Sequence, residues 1–313
     1  MSRILCIIDG MTDPRFDVRA YPNLATMRLS HYVDTTCGYD PESFGCILRL
    51  LDVKDVPVYS RGYAEALGAG IPVGENDLVL RGSWYGLDEE GRCTTPVPAP
   101  ENISGEGASG YYSLGEYKSL ITLPGNAQNI HRITTYPPYE CLGKPAVQLC
   151  PQGSDRLKEI FLSNLQKERC LLLWGQSAPS VFTPFPIRAA AVCQASVVKG
   201  IASLLGMTVL GVRGATGDTD TNLAGKVQTA LNAAKEFPFV LLHINGADEA
   251  SHRKNPFEKT EFLMKVDKYV LAELLRSEHE IVITSDHGTD PLTGIHVGEM
   301  QPIFEKNFNS IEK

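Results

Sequence analysis

The chain has 313 residues, of which 43% are hydrophobic and 21% charged, a composition typical of a globular protein that excludes a disordered or fibrous chain. Lysine and arginine total 29 against 37 aspartate and glutamate, so the net charge is −8. This balance argues against a broad cationic surface for nucleic acid or anionic membrane. No apolar run approaches the ~20 residues of a membrane span, and the first residues do not resemble a signal peptide. We therefore expect a cytoplasmic protein of two domains or one large one.

The eight cysteines occur singly, without a Cys-x-x-Cys pair. Several lie in apolar runs, such as Cys6 in ILCII and Cys193 in AAVCQAS. This setting is typical of buried free thiols in a reducing compartment. The spacing does not support a cysteine-based zinc site.

The first half of the chain begins with a regular strand and then becomes less regular. Residues 4–8 form a compact apolar run that ends at Asp-Gly, which predicts a buried parallel strand. Helical pieces are predicted over 42–52 and 60–71. Two strands joined by a turn at 88–91 follow, then a stretch rich in Pro, Gly, Ser and Tyr, then a helix over 154–168.

Beyond residue 170 helical and strand patterns alternate regularly to the end of the chain. In order, we predict strand 170–175, helix 189–206, strand 207–212, helix 221–237, strand 239–244, helix 258–278 and a strand from 280. Such alternation predicts a largely parallel sheet covered by helices. We therefore predict an α/β fold with a discontinuous core, residues 1–76 and 170–313, and an inserted cap domain over residues 77–169.

Acidic and histidine side chains lie just beyond three of the predicted strands. They are Asp9, Asp248, His252, Asp286, His287 and His296. Because the carboxyl ends of parallel strands form the ligand crevice of an open sheet, we expect these side chains to converge. Each alone is better explained by a turn, a helix cap or a surface histidine, but their joint chemistry favours divalent transition metals. The other histidines lack this setting and we assign them no role: His31, His131, His243 and His279.

Six segments together resemble a known family. In chain order they are IDGMTD, RGYAEALGAGI, VVKGIASLLGM, GATGDTDTNLAGK, HINGADEASH and SDHGTDPLTGIHVGE. They resemble the archaeal-type cofactor-independent phosphoglycerate mutases, two-metal phosphoryl-transfer enzymes of the alkaline phosphatase superfamily. The similarity covers roughly residues 1–80 and 170–313. It implies a three-layer alkaline-phosphatase-like core, a mostly parallel central sheet, and an inserted smaller α+β cap domain. The activity it implies is the interconversion of 2- and 3-phosphoglycerate, an isomerase step of glycolysis, without 2,3-bisphosphoglycerate.

The resemblance also implies two divalent metal ions, Mn, Zn or Co, with Mg as a further option, and a phosphoserine intermediate. One ion would be held by Asp248, His252 and His296, and the other by Asp9, Ser43, Asp286 and His287. Ser43 would be the nucleophile, although a serine at a helix start is often an N-cap, and Thr35 and Thr36 are the fallback nucleophiles.

Three cationic residues match family positions near the substrate. The resemblance implies that Lys199 lies near the phosphoryl group and that Arg61 and Arg81 contact the substrate. Taken as residue types, both arginines are equally compatible with ordinary surface charge.

The match weakens in the insertion, where the family has arginines that bind the substrate. The segment TTPVPAPENI contains no arginine, and Tyr117-Lys118 replaces a Tyr-Arg pair. Lysine does not reproduce the bidentate fork of arginine. A metal-dependent phosphomonoesterase acting on another small phosphorylated metabolite therefore remains an alternative, since water would then reach a phosphorylated Ser43.

Two further classes of protein are weighed against these enzymes. Phe44, directly after the nucleophile, keeps open a metal-binding paralogue without turnover. A nucleotide-binding α/β protein is disfavoured because the chain has no Gly-x-x-x-x-Gly-Lys-Ser/Thr segment. The oligomeric state is left open by the sequence.

Overall fold

The computed structural model describes residues 1–105, 110–298 and 300–306. The chain divides into two compact units: Met1–Asp55 with Thr183–Lys313, and Val56–Phe182. None of the helices in these described ranges is long and apolar enough to cross a membrane.

The strands are numbered in chain order. They are β1 Arg3–Ile8, β2 Arg28–Val33, β3 Leu78–Leu87, β4 Cys93–Pro96, β5 Tyr111–Gly115, β6 Lys118–Leu123, β7 Arg169–Ser177, β8 Ala189–Val192, β9 Thr208–Val209, β10 Phe239–Ile244, β11 Glu280–Thr284, β12 Gly288–Asp290, β13 Ile295–Val297 and β14 Gln301–Glu305. The helices are α1 Ser43–Leu50, α2 Arg61–Gly68, α3 Asp155–Ser163, α4 Ser196–Leu204, α5 Leu223–Ala233, α6 Gly246–His252, α7 Pro256–Val266 and α8 Ala272–Arg276. A π-helical turn, Asp267–Leu271, joins the last two. Short 3-10 turns cover Val18–Ala20, Leu24–Thr26, Ala127–Arg132, Pro138–Glu140 and Ala146–Leu149.

The first unit is built on a seven-stranded sheet with the order β2-β14-β11-β1-β10-β8-β9. Strands β11, β1, β10, β8 and β9 are parallel, whereas β14 is antiparallel to both β11 and β2. In the centre, Ile7 of β1 lies level with His243 of β10 and Thr284 of β11. The predicted α/β fold with a mostly parallel sheet is confirmed.

The central strand is apolar on both faces, which is why helices can pack on each. Ile4, Cys6 and Ile8 belong to one core cluster, together with residues of α5 and α7 such as Val227 and Phe262. Leu5 and Ile7 point to the opposite face and are also buried. Helices α1 and α4 contact each other, and α4 packs on β8 and β9.

The second unit contains an antiparallel sheet. Strand β3 pairs with β4 and β6, β6 pairs with β5, and β7 also pairs with β3. Helix α2 packs on β3 and β7, and α3 packs on β7. Trp84 and Phe161 are the largest fully buried side chains in this unit.

The structure differs from the predicted elements in several places, and strands β5, β6, β12, β13 and β14 were not predicted from the sequence. Residues 170–175 do not open the parallel sheet but belong to β7, which pairs with β3. Residues 189–192 form strand β8, not the start of a helix, because a short buried apolar run fits either element. Strand β2 was not predicted, since its residues are mostly exposed and do not alternate. The role of residues 77–169 as a substrate cap stays a prediction.

Candidate metal centre

The six predicted ligand residues all lie in the first unit, beyond the carboxyl ends of the adjacent strands β10, β1 and β11. Asp9 follows β1 directly, and Asp286 and His287 follow β11. Helix α6 begins just after β10 and places Asp248 and His252 on one face, because they are four residues apart. The sixth residue, a histidine, lies on β13, in the hairpin with β12.

The first group of predicted ligands is the histidine cluster, formed by Asp248, His252 and His296. His252 Nε2 lies 3.2 Å from Asp248 Oδ2, and His296 Nε2 lies 3.5 Å from Asp248 Oδ1. The two Nε2 atoms are 3.1 Å apart. The three residues thus each direct a metal-ligating atom toward a common point.

Backbone carbonyls fix the orientation of both imidazoles in the histidine cluster. His252 Nδ1 lies 3.0 Å from the carbonyl of Gly294, and His296 Nδ1 lies 2.7 Å from that of Pro41. A carbonyl only accepts, so each Nδ1 carries the proton and each Nε2 presents a lone pair. Two such lone pairs repel at 3.1 Å unless a cation lies between them, which is the usual arrangement of metal-binding histidines. Burial raises the pKa of Asp248, but its contacts with His252 and His296 outweigh burial when those imidazoles are protonated and hold it well below its usual range.

The second group is the serine cluster, formed by Asp9, Ser43, Asp286 and His287. His287 Nε2 lies 3.1 Å from Ser43 Oγ, and 3.6 Å from both Asp9 Oδ1 and Asp286 Oδ2. Its Nδ1 lies 3.3 Å from the carbonyl of Gly288, which again directs Nε2 toward the other donors. Burial lowers the pKa of His287 and so favours the neutral imidazole that a metal requires.

The two carboxylates of the serine cluster are buried, and three of their four oxygens have no hydrogen-bond donor among the described residues. Asp286 is 0% exposed, and among the described residues both of its oxygens and Asp9 Oδ1 have no hydrogen-bond partner. Burial, with the nearby Asp286 and Asp248 charges, raises the pKa of Asp9 well above its usual value. Buried carboxylates of this kind are costly unless a cation accompanies them. Both clusters therefore fit divalent metal ions in their donor chemistry.

A supporting hydrogen-bond chain holds the aspartate of the histidine cluster. The Thr289 hydroxyl donates to Asp248 Oδ1 at 2.6 Å. Lys259, which is buried, donates to the carbonyl of Thr289 and to Asp13 Oδ2, both at 2.8 Å. Contacts of this kind orient ligand side chains and tune metal affinity.

Ser43 is the first residue of α1, and Glu42 is the N-cap. The Ser43 hydroxyl is therefore not an N-cap and faces the serine cluster. Of the fallback nucleophiles, Thr36 donates its hydroxyl to Asp34 at 2.8 Å, and Thr35 is buried. In the described part of the chain, only the Ser43 hydroxyl among these three lies within hydrogen-bond distance of a predicted ligand, His287.

The cationic residues occupy both units. Lys199 lies half-buried on α4 in the first unit. In the second unit Glu65 forms ion pairs with Arg81 and, at 3.2 Å, with Arg61. The Arg61 guanidinium also lies 4.3 Å from the centroid of the Trp174 ring. Arg81 is only 4% exposed, so the surface-charge explanation is wrong for this residue.

Sequence reasoning missed one residue of this centre, His243 on β10. It is fully buried, its Nε2 lies 3.5 Å from Asp9 Oδ2, and it groups with Asp9 and Asp286. Burial lowers the pKa of His243 to about 4, so the imidazole is neutral. The available signal was a single polar residue in the apolar strand FVLLHI, directly before a ligand-bearing segment.

A sequence profile of the metalloenzyme superfamily matches residues 146–307. The chain belongs to this superfamily. It is 26% identical over 303 residues to 2,3-bisphosphoglycerate-independent phosphoglycerate mutase 2 of Methanothermobacter thermautotrophicus, which covers 85% of this chain and 72% of that protein. It is 28% identical to the corresponding mutase of Methanococcus aeolicus, and that alignment covers 97% of this chain and 88% of the relative. The predicted resemblance to the archaeal-type mutases is confirmed.

Two solved structures have a similar fold. The PH0037 protein of Pyrococcus horikoshii gives a TM-score of 0.70 at 20% identity, covering 98% of this chain and 87% of that one. The cofactor-independent phosphoglycerate mutase of Thermoplasma acidophilum gives 0.52 at 19% identity, covering 98% and 90%. At these identities the likeness is one of fold.

Proposed function

We propose that this protein is a two-metal phosphoryl-transfer enzyme that interconverts 2- and 3-phosphoglycerate through a phosphoserine at Ser43. The observation that carries the proposal is the 3.1 Å contact between Ser43 Oγ and His287 Nε2. It brings a hydroxyl at a helix start together with three buried metal-type ligands. The mutases among the relatives supply the substrate class.

Each cluster would hold one divalent ion, Mn, Zn or Co by its imidazole and carboxylate donors. When bound, two such ions stabilise the attacking and leaving oxygens of an in-line phosphoryl displacement. The ions would be held by the histidine cluster and by the serine cluster as defined above. The relatives are named as independent of 2,3-bisphosphoglycerate, and we propose the same independence here.

The protein's own groups would position the reacting hydroxyl and the phosphoryl group. In the proposed transfer, Ser43 Oγ loses its proton and forms a bond to phosphorus, while the bond from phosphorus to the glycerate oxygen breaks and that oxygen takes up a proton. Ser43 is the first residue of α1, so the phosphoryl group would lie at a helix N-terminus, which favours negative charge. Lys199 would offer a cation to the equatorial oxygens, and Arg61 and Arg81 would bind the substrate. Return of the phosphoryl group to the other glycerate hydroxyl would complete the isomerisation.

A metal-dependent phosphomonoesterase is the second candidate. The observation that favours it is the pairing of Glu65 with both Arg61 and Arg81. A carboxylate already paired with both guanidinium groups competes with the carboxylate of glycerate for them. If glycerate were held too weakly, water would take the phosphoryl group from Ser43.

One assay separates these outcomes. The Mn-loaded protein is incubated with 3-phosphoglycerate, and 2-phosphoglycerate and free phosphate are measured in the same tube. We expect 2-phosphoglycerate without free phosphate, and loss of the product in Ser43→Ala. Ser154→Ala, which removes a hydroxyl from the N-cap of α3, is the matched control and should retain the activity.

Two results would contradict the mutase. Free phosphate alone, lost in Ser43→Ala, would make the protein a phosphomonoesterase. Neither product, with two metal ions bound per chain, would favour a metal-binding protein without turnover on this substrate.

A further inference from the structure

We propose that His243 is a positioning residue for the serine cluster. Its imidazole donates Nε2–H to Asp9 Oδ2 and so keeps Asp9 Oδ1 directed at His287. This inference rests on the metal site of the proposed function. It adds a role for a residue outside both ligand clusters.

The sheet register places His243 beside Asp9. Strand β10 is the neighbour of β1, and His243 lies level with Ile7. Because alternate residues of a strand share a face, Ile7 and Asp9 point to the same side. Asp286 follows β11, which pairs with the other side of β1. The Asp9 carboxylate therefore has His243 on one flank and Asp286 on the other.

The two oxygens of Asp9 face different imidazoles. Oδ1 lies 3.6 Å from His287 Nε2, in the serine cluster, and Oδ2 lies 3.5 Å from His243 Nε2. A movement of about 0.5 Å would bring the second pair within the usual hydrogen-bond distance. A carboxylate that binds a cation through one oxygen and accepts a proton donor at the other is held in a single orientation.

His243 differs from the three predicted ligand histidines in its Nδ1 environment. In His252, His296 and His287 the Nδ1 atom lies within 3.3 Å of a backbone carbonyl, so Nε2 is left unprotonated for a metal. Neither ring nitrogen of His243 has a hydrogen-bond partner among the described residues. No acceptor among the described residues holds the proton on Nδ1 of His243, so Nε2 can carry the proton and donate it to Asp9.

Burial favours a hydrogen bond between His243 and Asp9. His243 is 0% exposed and lies in an otherwise apolar strand. A buried imidazole without a hydrogen-bond partner is costly, whereas one that donates to a buried carboxylate offsets that cost for both groups. Asp9 Oδ2, 3.5 Å from Nε2, is such a carboxylate acceptor.

The test compares two amide substitutions at the same position. The amide nitrogen of His243→Gln can take the place of Nε2, while that of His243→Asn can only take the place of Nδ1. Both variants bury the same chemical group, so a difference between them reports on the hydrogen bond. Leu241→Val, a buried change on the same face of β10, is the control for general destabilisation.

The readouts are Mn²⁺ dissociation constants from calorimetric titration and the visible absorption of the Co²⁺-loaded protein. In His243→Asn we expect one of the two Mn²⁺ ions to bind about 10- to 100-fold more weakly, with the other unchanged. His243→Gln should bind within about threefold of the wild type and keep its Co²⁺ spectrum, as should Leu241→Val. Equal weakening in both amide variants, with a changed Co²⁺ spectrum, would overturn the inference and make His243 a direct ligand.

Wild-type affinity in His243→Asn would also overturn it. If that variant does not fold, wild-type behaviour in His243→Gln supports the donor role and its failure contradicts it. A wild-type protein that binds no metal would refute the proposed function itself, a result distinct from failure at His243.

Discussion

Two buried lysines of the first unit are expected to respond in opposite ways when their charge is removed. Lys226 on α5 is 1% exposed, and among the described residues its Nζ has one hydrogen-bond acceptor, the carbonyl of His243 at 3.2 Å. Lys259 on α7 is 2% exposed, but donates to two backbone carbonyls and to Asp13 Oδ2. An ammonium has three protons to place, so Lys259 is satisfied and Lys226 is not.

The magnitude for Lys226 follows from its burial, which lowers the pKa from 10.5 to about 8. A shift of this size corresponds to about 3 kcal/mol between the charged and neutral forms. Between pH 8 and pH 10.5 the unfolded chain keeps a proton on this lysine that the folded chain has released. The free energy of unfolding therefore rises with pH in this window, by up to about 3 kcal/mol from this one group.

The assay is urea unfolding of the wild type, Lys226→Met and Lys259→Met at several pH values from 7 to 10.5. At pH 7 Lys226→Met should be as stable as the wild type or more so, because it no longer buries a poorly paired charge. Lys259→Met should be less stable by about 3 kcal/mol, because Asp13 and two carbonyls lose their donor. A constant difference between wild type and Lys226→Met across the whole pH range would refute the burial argument.

Three further outcomes are expected. A chelator should remove two metal ions per chain and lower the free energy of unfolding, by about 2.7 kcal/mol per site if the metal had been present at 100 times its dissociation constant. Thermal unfolding with metal analysis checks this expectation, and an unchanged melting temperature would contradict it. Thr289→Val should weaken Mn²⁺ binding by the histidine cluster at least about 10-fold, because Asp248 loses its donor, whereas Thr260→Val on α7 should bind normally in the same titration. Ser154→Ala should cost about 1 kcal/mol in urea unfolding, because the Leu157 N–H loses its capping hydroxyl, and an unaltered midpoint would show that the cap is unimportant.

The convergence of the predicted ligand residues could be foreseen because each lies close behind a recognisable strand in the sequence. Asp9, Asp248 and Asp286 each follow an apolar run that ends at the same edge of the sheet. Parallel pairing then brings them together without further information. The separation into a histidine cluster and a serine cluster came from the family resemblance.

Other features depend on partners that are distant in sequence. An apolar segment such as 170–175 fits a buried strand in either sheet. Its pairing with β3 therefore could not be predicted from its residues. Glu65 gave no signal of its own, because an ion pair with Arg81 is set by the packing of α2 on β3. His243 is visible as a polar residue in an apolar strand, but only the register of β10 with β1 places it beside Asp9.

The proposed mechanism requires Ser43 to carry the phosphoryl group during turnover. The most direct measurement is an acid quench of the Mn-loaded protein during turnover of 3-phosphoglycerate, followed by mass spectrometry of the intact chain and its peptides. We expect one phosphoryl group on the peptide that contains Ser43, and none in Ser43→Ala. Turnover with no phosphoryl group on Ser43, or with one on Thr35 or Thr36, would contradict it.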